Sequence, residues 1–485
     1  MKQKFSIFIF CLVIISVYLK IPEKNILLAK EEFITWKFSK NNSSKVENRI
    51  ILIPVVNFKS KIDNLSASTF KDLSKYKIIV SNKASEILDQ SEFHGQKSSK
   101  YSNVISMAEK SPDVIGLIRL SELRPEVRVI SVNDIYFYEE NKNYLLTLYP
   151  ENIDATKSNE NDELNQIFTF AQTGVTALTR GLIKKITEEK NPLYITEKIA
   201  PFLKQFHLTH TSNEVSFSEQ CNAAPKTMTF CSPVEYFSIL QTCGFDIIEL
   251  TGNHNIDYGF INALSTIELY EKNNIKYFGG GKNLADSSKI LYTEILDKSA
   301  NTANKKIAII GYNEANVFYQ YDLPLAKENS PGANPFDIQK MKEDIAVAKK
   351  TANTVIVDFQ FAECDSYKPG SNDDCYLPMK NPDQKDIFQK AIDFGADIVV
   401  GTQAHQPQII EKYKTGIIFY GLGNLFFDQI RWEGTRQGMI LVHIFFKGEY
   451  KNTIVYPTYY DQDLQVYLPI GEKKKELLDI YFQRK

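Results

Sequence analysis

The chain has 485 residues, 43% of them apolar and 24% charged, too many for one ordinary hydrophobic core, so two or three domains are expected. Its 57 Lys and Arg nearly cancel its 59 Asp and Glu, leaving a formal net charge of −2. No basic stripe stands out, which argues against nucleic acid as a partner.

Residues 1–21 open with Met1-Lys-Gln-Lys, followed by an apolar run from Phe5 to Leu19 and then Lys20, Ile21 and Pro22. A basic start and about 15 apolar residues fit a signal peptide. No Ala-x-Ala site follows, so an uncleaved membrane anchor stays open, and a buried core helix is the competing reading. Either membrane reading makes the remainder an exported protein, periplasmic or extracellular, in which disulfides form. Cys221 and Cys231 flank one loop, and Cys364 and Cys375 flank another. Two local disulfides are expected, with Cys243 a buried free thiol at a helix end. None of the spacings is that of a structural zinc site.

Residues 22–148 read as a small α/β domain. A polar stretch over 22–48 leads into short apolar strands (IILIPVV, YKIIVS, DVIGLIRL, VRVISV) between polar or helical intervals. Gly116-Leu-Ile-Arg and Arg124-Pro-Glu-Val-Arg-Val resemble half of a periplasmic binding-protein-like domain. Residues 149–166 are acidic and turn-rich, with almost nothing to bury, and read as a linker.

From residue 167 to 470 the pattern is strongly α/β. Strand candidates cover 167–174, 207–214, 246–253, 306–313, 354–361, 397–404 and 417–424, as near-continuous apolar runs that mark strands buried on both faces. Helices fall between them. One starts at the capping box Ser232-Pro-Val-Glu235. Another follows Gly259 and presents Phe260, Leu264 and Ile267 on one face, and a third over 384–394 buries Ile387, Phe388, Ala391 and Ile392. After Gly438, MILVHIFF and TIVYPTYY read as antiparallel closing strands, and 471–485 as a tail.

Several strands end alike, with polar residues or glycine directly after the apolar run. The ends are Gly174, Asn213-Glu214, Gly252-Asn253-His254, Gln360, Gly401-Thr-Gln403-Ala-His405 and Gly423-Asn424. One such end is a turn; at residues 252–255, Gly252, Asn253 and Asn255 can supply positive φ and leave His254 incidental. Six at one sheet edge make a site, with oxygen and nitrogen ligands suited to a divalent cation.

Four blocks in order give these ends a resemblance. They are Asn213-Glu214; Gly252-Asn-His-Asn-Ile-Asp-Tyr-Gly259; Gly395-Ala-Asp-Ile-Val-Val-Gly-Thr-Gln-Ala-His405; and Ile418-Phe-Tyr-Gly-Leu-Gly-Asn424-Leu-Phe-Phe-Asp428-Gln429. With them, region 167–445 resembles the CapA family of poly-γ-glutamate capsule proteins, a branch of the calcineurin-like metallophosphatases. The resemblance implies an α/β fold, a four-layer α/β/β/α sandwich preceded by the smaller α/β domain. It implies that Glu214, Asn253 and His405 ligate a divalent metal (manganese, iron or zinc). His254 then reaches a substrate oxyanion or leaving group as the catalytic acid, with Asp257 holding it. Gly174, Gly252, Gln360, Gln403, Asn424 and Asp428 line the pocket.

The chain departs from that pattern where it matters for catalysis. The family's metal-binding Gly-Asp is here Gly174-Val175, and valine binds no metal. Gln360 stands for one histidine, and Thr402-Gln403-Ala404-His405 keeps one of three. The surviving candidate ligands are Glu214, Asn253, His254, His405 and Glu363, enough for one weakly held metal and too few for a bimetallic phosphatase. His207 and His210 read as satisfied core or surface histidines, and His443 as packed in the closing sheet. Arg180, Arg431 and Arg436 read equally as surface residues or as contacts to an anionic substrate. The expected function is an exported protein acting on an extracellular anionic polymer or a peptide-like substrate, membrane-bound through its N-terminal segment and working in a capsule-synthesis complex. It is either a single-metal hydrolase or a non-catalytic assembly factor.

Overall fold

A computed structural model describes residues 50–484 apart from 67–76, 85–99, 102, 140–143, 145, 149–162, 223–226, 296–304, 315–323, 362–373 and 381–382. The expected leader, most of the expected linker, Glu363 and Cys364 lie outside the described residues.

Two mixed sheets make up the larger part. The first has β1 (Ile167–Thr176) at its centre, with β2 (Leu208–Asn213), β3 (Ile247–Glu249) and β4 (Lys276–Phe278) parallel on one side. The second is built on β5 (Leu291–Ile295), β6 (Lys305–Asn313), β7 (Thr354–Gln360), β8 (Ile398–Thr402), β9 (Ile410–Tyr413) and β10 (Gly416–Phe419). There β6, β7, β8 and β10 are parallel neighbours, and β5 and β9 close the edges antiparallel. The short β11 (Asn424–Phe426) returns to β1, whose other side takes the antiparallel β12 (Gln437–Phe446) and then β13 (Glu449–Tyr460). These last two are the expected closing strands.

Parallel strands need crossovers, and the crossovers are helices that cover the outer faces. Helices α1 (Arg180–Glu189), α2 (Phe237–Cys243) and α3 (Gly259–Lys272) pack on the first sheet; α4 (Ile338–Thr351) and α5 (Gln384–Asp393) pack on the second. The order of layers is helix, sheet, sheet, helix, the sandwich that the resemblance implies.

The sheets meet across one apolar cluster that includes Phe170, Ile247, Phe278, Ile309, Ile356 and Val400. Strand alternation then decides what faces the same layer two residues further on. Gln172 follows Phe170, His210 follows Leu208, Glu249 follows Ile247, Asp358 and Gln360 follow Ile356, and Thr402 follows Val400. All six are buried. The seam between the sheets is therefore apolar at one end and polar toward the carboxyl ends of the parallel strands.

Three local expectations are corrected. Ser232 and Pro233 pair with Phe217 and Ser218 instead of capping a helix; a 3₁₀ turn at Val234–Tyr236 leads into α2, with no side-chain cap. In α3 the buried face is Ala263, Thr266, Ile267 and Tyr270, while Phe260 is 49% exposed. Residues 471–485 are not a loose tail. Helix α6 (Gly471–Tyr481) buries Leu477, Leu478 and Tyr481 in the inter-sheet cluster.

In the N-terminal part, Ile50–Val56 pairs antiparallel with Val114–Arg119, which pairs parallel with Lys77–Ser81. This sheet shares one hydrophobic cluster with the helical face of the first large sheet. Glu163 is buried, accepts from the Ile51 amide at 2.9 Å and pairs with Arg119.

His443, on β12, is packed as expected. Its Nδ1 meets Thr453 Oγ1 at 2.7 Å and its Nε2 meets the Gln172 amide oxygen at 2.8 Å. Burial, and then the neighbouring His210, pushes its pKa down to about 3. The unfolded ring titrates near 6.5, so the stability present above that pH is lost as pH falls toward the folded value. The loss for this group between pH 6.5 and 5 is about 2 kcal/mol. The unfolding free energy from urea titrations at the two pH values should fall less in His443→Gln than in the wild type by that amount.

Candidate functional site

The parallel strands of both sheets end at one rim, where the Asn313 amide donates to the Thr251 carbonyl at 2.6 Å across the seam. Glycine sets how closely the loops approach. A Cβ on Gly174 would lie 1.9 Å from the Gly423 carbonyl oxygen, and one on Gly252 would lie 2.6 Å from Glu214 Cα. None of Gly252, Asn253 and Asn255 has a positive φ. The stretch is a turn that does not need positive φ at these positions: Gly252 serves close packing, and the Asn255 amide ties the loop by donating to the Leu250 and Gly252 carbonyls at 3.1 and 3.0 Å. Left-handed backbone falls instead on Gln403 (φ 76°) and His405 (φ 55°), a cost of about 1–3 kcal/mol each that such sites commonly carry.

Four of the predicted side chains converge. Gln360 Nε2 donates to Asn253 Oδ1 at 3.1 Å, to Glu214 Oε1 at 3.4 Å and to Gln403 Oε1. The two histidines stand beside this point and are joined through an aromatic pair. The His254 ring lies 4.1 Å from Phe230, the His405 ring 5.1 Å from Phe427, and Phe230 and Phe427 are 5.9 Å apart. The Arg180 guanidinium lies over both phenyl rings, at 4.6 and 4.9 Å, and is held by Asp428 at 2.5 Å. Asp428 also accepts from the Gly181 amide at 2.8 Å, so it anchors the start of α1 as well as the cation.

Each imidazole is oriented at Nδ1. His254 Nδ1 meets Asp257 Oδ2 at 2.7 Å, and that oxygen also accepts from the Phe230 amide at 2.7 Å. His405 Nδ1 meets Asn424 Oδ1 at 3.0 Å, and Asn424 donates to the Thr435 carbonyl at 3.1 Å. A carboxylate or amide oxygen on Nδ1 fixes the tautomer that carries its proton there and directs Nε2 outward for proton transfer or ligation.

The expected Glu214, Asn253 and His405 set fits a tightly held ion poorly. An ion placed where the Glu214, Asn253 and Gln403 oxygens converge would take the position of the Gln360 amide nitrogen, which already donates to all three. The donors there are one carboxylate and neutral amides, a weak set for manganese, iron or zinc. His405 is drawn to Asn424 and Phe427 instead.

A second polar group lies deeper, and the reading of His210 as satisfied is corrected by it. His210, Glu249 and Asp358 are fully buried in the seam, with one ligand atom from each within 4.8 Å of the others, a group able to hold a metal ion. Both His210 nitrogens lack a hydrogen-bond partner. Burial pushes His210 down to about 3 and Glu249 up to about 7; burial and then the Glu249 charge push Asp358 well above the carboxylate range. A glutamate and an aspartate inside otherwise apolar runs, in phase with inward residues, were the signal for this group.

Cys221 and Cys231 are disulfide-bonded, as expected. Cys375 is disulfide-bonded too, and its expected partner Cys364 lies outside the described residues. Cys243 is a buried free thiol at the end of α2, its pKa raised by burial. Arg436 donates to the Tyr460 carbonyl, and Arg431 lies exposed over the Trp432 ring.

The model of the family described as bacterial capsule synthesis protein PGA_cap matches residues 169–429, more than half of the chain. The chain belongs to this capsule synthesis family. All of the candidate site from Gly174 to Asp428 falls inside the match. The capsule biosynthesis protein CapA of Bacillus anthracis is 27% identical over 60% of this chain and 66% of its own length. The PGA biosynthesis protein CapA of Bacillus subtilis is 28% identical over 53% and 63%. The chain thus spans just under two thirds of these relatives. Among solved structures, the calcineurin-like phosphoesterase YfkN of Bacillus subtilis aligns at 11% identity over 65% of this chain and 96% of its own, with a TM-score of 0.34. The layer order stands on the sheets themselves.

Gly174, near the end of β1, gives a direct test of the rim geometry. Gly174→Ala drives a methyl into the Gly423 carbonyl and should cost about 1–3 kcal/mol or more, read as a lower urea midpoint at unchanged slope.

Proposed function

We propose that the chain works outside the cytoplasm in the making or attachment of a capsule-type anionic polymer of the poly-γ-glutamate class, as a binding and assembly component and not as a metallohydrolase. Membership of the capsule synthesis family supports the polymer, and the basic, apolar N-terminal residues support export and a membrane anchor. The observation that carries the non-hydrolytic part is Gln360 Nε2 at the meeting point of the Glu214, Asn253 and Gln403 oxygens. A neutral amide there satisfies the acceptors that a cation would otherwise draw together, so the rim keeps the shape of a metallophosphatase site and gives up its ion. Arg431, exposed beside Trp432 on the segment after Asp428, is the cation that meets the polymer.

A second reading rests on the His254–Asp257 pair, whose side chains are 15% and 18% exposed. A carboxylate-oriented imidazole reachable from solvent is what general acid-base cleavage of an amide requires.

One experiment separates the two. Purified protein is mixed with fluorescent poly-γ-glutamate, and both affinity and polymer length are followed. The assembly reading predicts a constant polymer length and binding weakened about fivefold, near 1 kcal/mol, in Arg431→Ala. Shortening of the polymer that stops in His254→Ala contradicts it and favours the hydrolase.

A further inference from the structure

The His210, Glu249 and Asp358 group lies one strand step inside the rim, and the rim chemistry makes no use of it. It draws on both sheets: His210 and Glu249 come from the neighbouring β2 and β3, and Asp358 comes from β7 opposite. All three side chains are 0% exposed. Phe170 and Phe278 wall the His210 ring at 6.4 and 5.7 Å. Among the described residues no lysine or arginine pairs with either carboxylate.

The partners that do exist leave one side of each group open. Glu249 Oε1 accepts from Thr251 Oγ1 and, at 3.4 Å, from Thr402 Oγ1. Asp358 Oδ2 accepts from the Gln172 amide at 2.9 Å. Glu249 Oε2, Asp358 Oδ1 and both His210 nitrogens have no hydrogen-bond partner. Two carboxylates facing a neutral imidazole in a dry seam must be neutralised, since burying unpaired charge costs many kcal/mol.

Two protons or one divalent cation would do so, and the distances separate these. His210 Nε2 stands 3.6 Å from Glu249 Oε2 and 3.8 Å from Asp358 Oδ2. A shared proton needs heavy atoms about 2.5–3.2 Å apart. Ligands each about 2.0–2.2 Å from one ion can stand up to about 4.4 Å apart. The spacing is that of ligands around an ion.

We propose that His210, Glu249 and Asp358 bind one structural divalent cation, zinc, manganese or ferrous iron, in the seam between the two sheets. One imidazole and two carboxylates suit these ions, and a 2+ charge cancels the two carboxylates to leave a neutral core. The ion ties β2 and β3 to β7 just before Asn213, the Asn253 loop and Gln360. It therefore positions the rim without touching what binds there.

The test is metal analysis of the full chain, with thermal unfolding as a second readout. About one equivalent of zinc, manganese or iron is expected in the wild type and in the rim variant Glu214→Gln/His405→Ala, and none in Glu249→Gln/Asp358→Asn. If the core variant does not fold, dipicolinate on the wild type reads the same site: its removal of the ion lowers Tm by roughly 5–10 °C, and returning the ion restores it. Wild-type protein that carries no ion and whose Tm no added zinc, manganese or iron raises overturns the proposal. So does an ion that the rim variant loses and the core variant keeps.

Discussion

Two carboxylates, Glu249 and Asp358, sit in the dry seam where the sheets of this protein meet, with a histidine beside both and, among the described residues, no lysine or arginine paired with either. Much of the architecture follows from how that charge is met. Parallel strands with apolar first halves bring the sheets together; the same alternation that buries Ile247 and Ile356 delivers Glu249 and Asp358 to the interior two residues later. Unneutralised, these groups would push the sheets apart. Neutralised by one cation, they clamp three strands at the level from which the rim loops start.

The rim shows the complementary pattern. There the Gln360 amide nitrogen occupies the point that the oxygens of Gln403, Glu214 and Asn253 share. His254 and His405 are kept, each oriented through Nδ1, and linked by Phe230, Phe427 and Arg180.

The sandwich was legible in the sequence because its strands are long apolar runs that end in the same way, and because four blocks kept their order. In the loop at 252–259 the glycine serves a close approach to Glu214, which Gly252 announces by type alone. The capping box at Ser232 misled because a strand pairing with Phe217 and Ser218 captured Ser232 and Pro233, and tertiary pairing overrides a local cap. Phe260 misled because α3 turns its face by one position, so that Ala263, Thr266, Ile267 and Tyr270 meet the core. His210 was judged by spacing along its own strand, which says nothing of what the opposing sheet presents. Only the facing of β3 and β7 shows that two acids await it.

Anomalous diffraction from a crystal of the full chain, at the absorption edge of the ion it carries, would locate the cation. One anomalous peak is expected inside the seam, within bonding distance of His210 Nε2 and of both carboxylates. A peak at the rim beside Glu214, Asn253 and His405, or a seam without a peak and with the two acids hydrogen-bonded to each other, would contradict it.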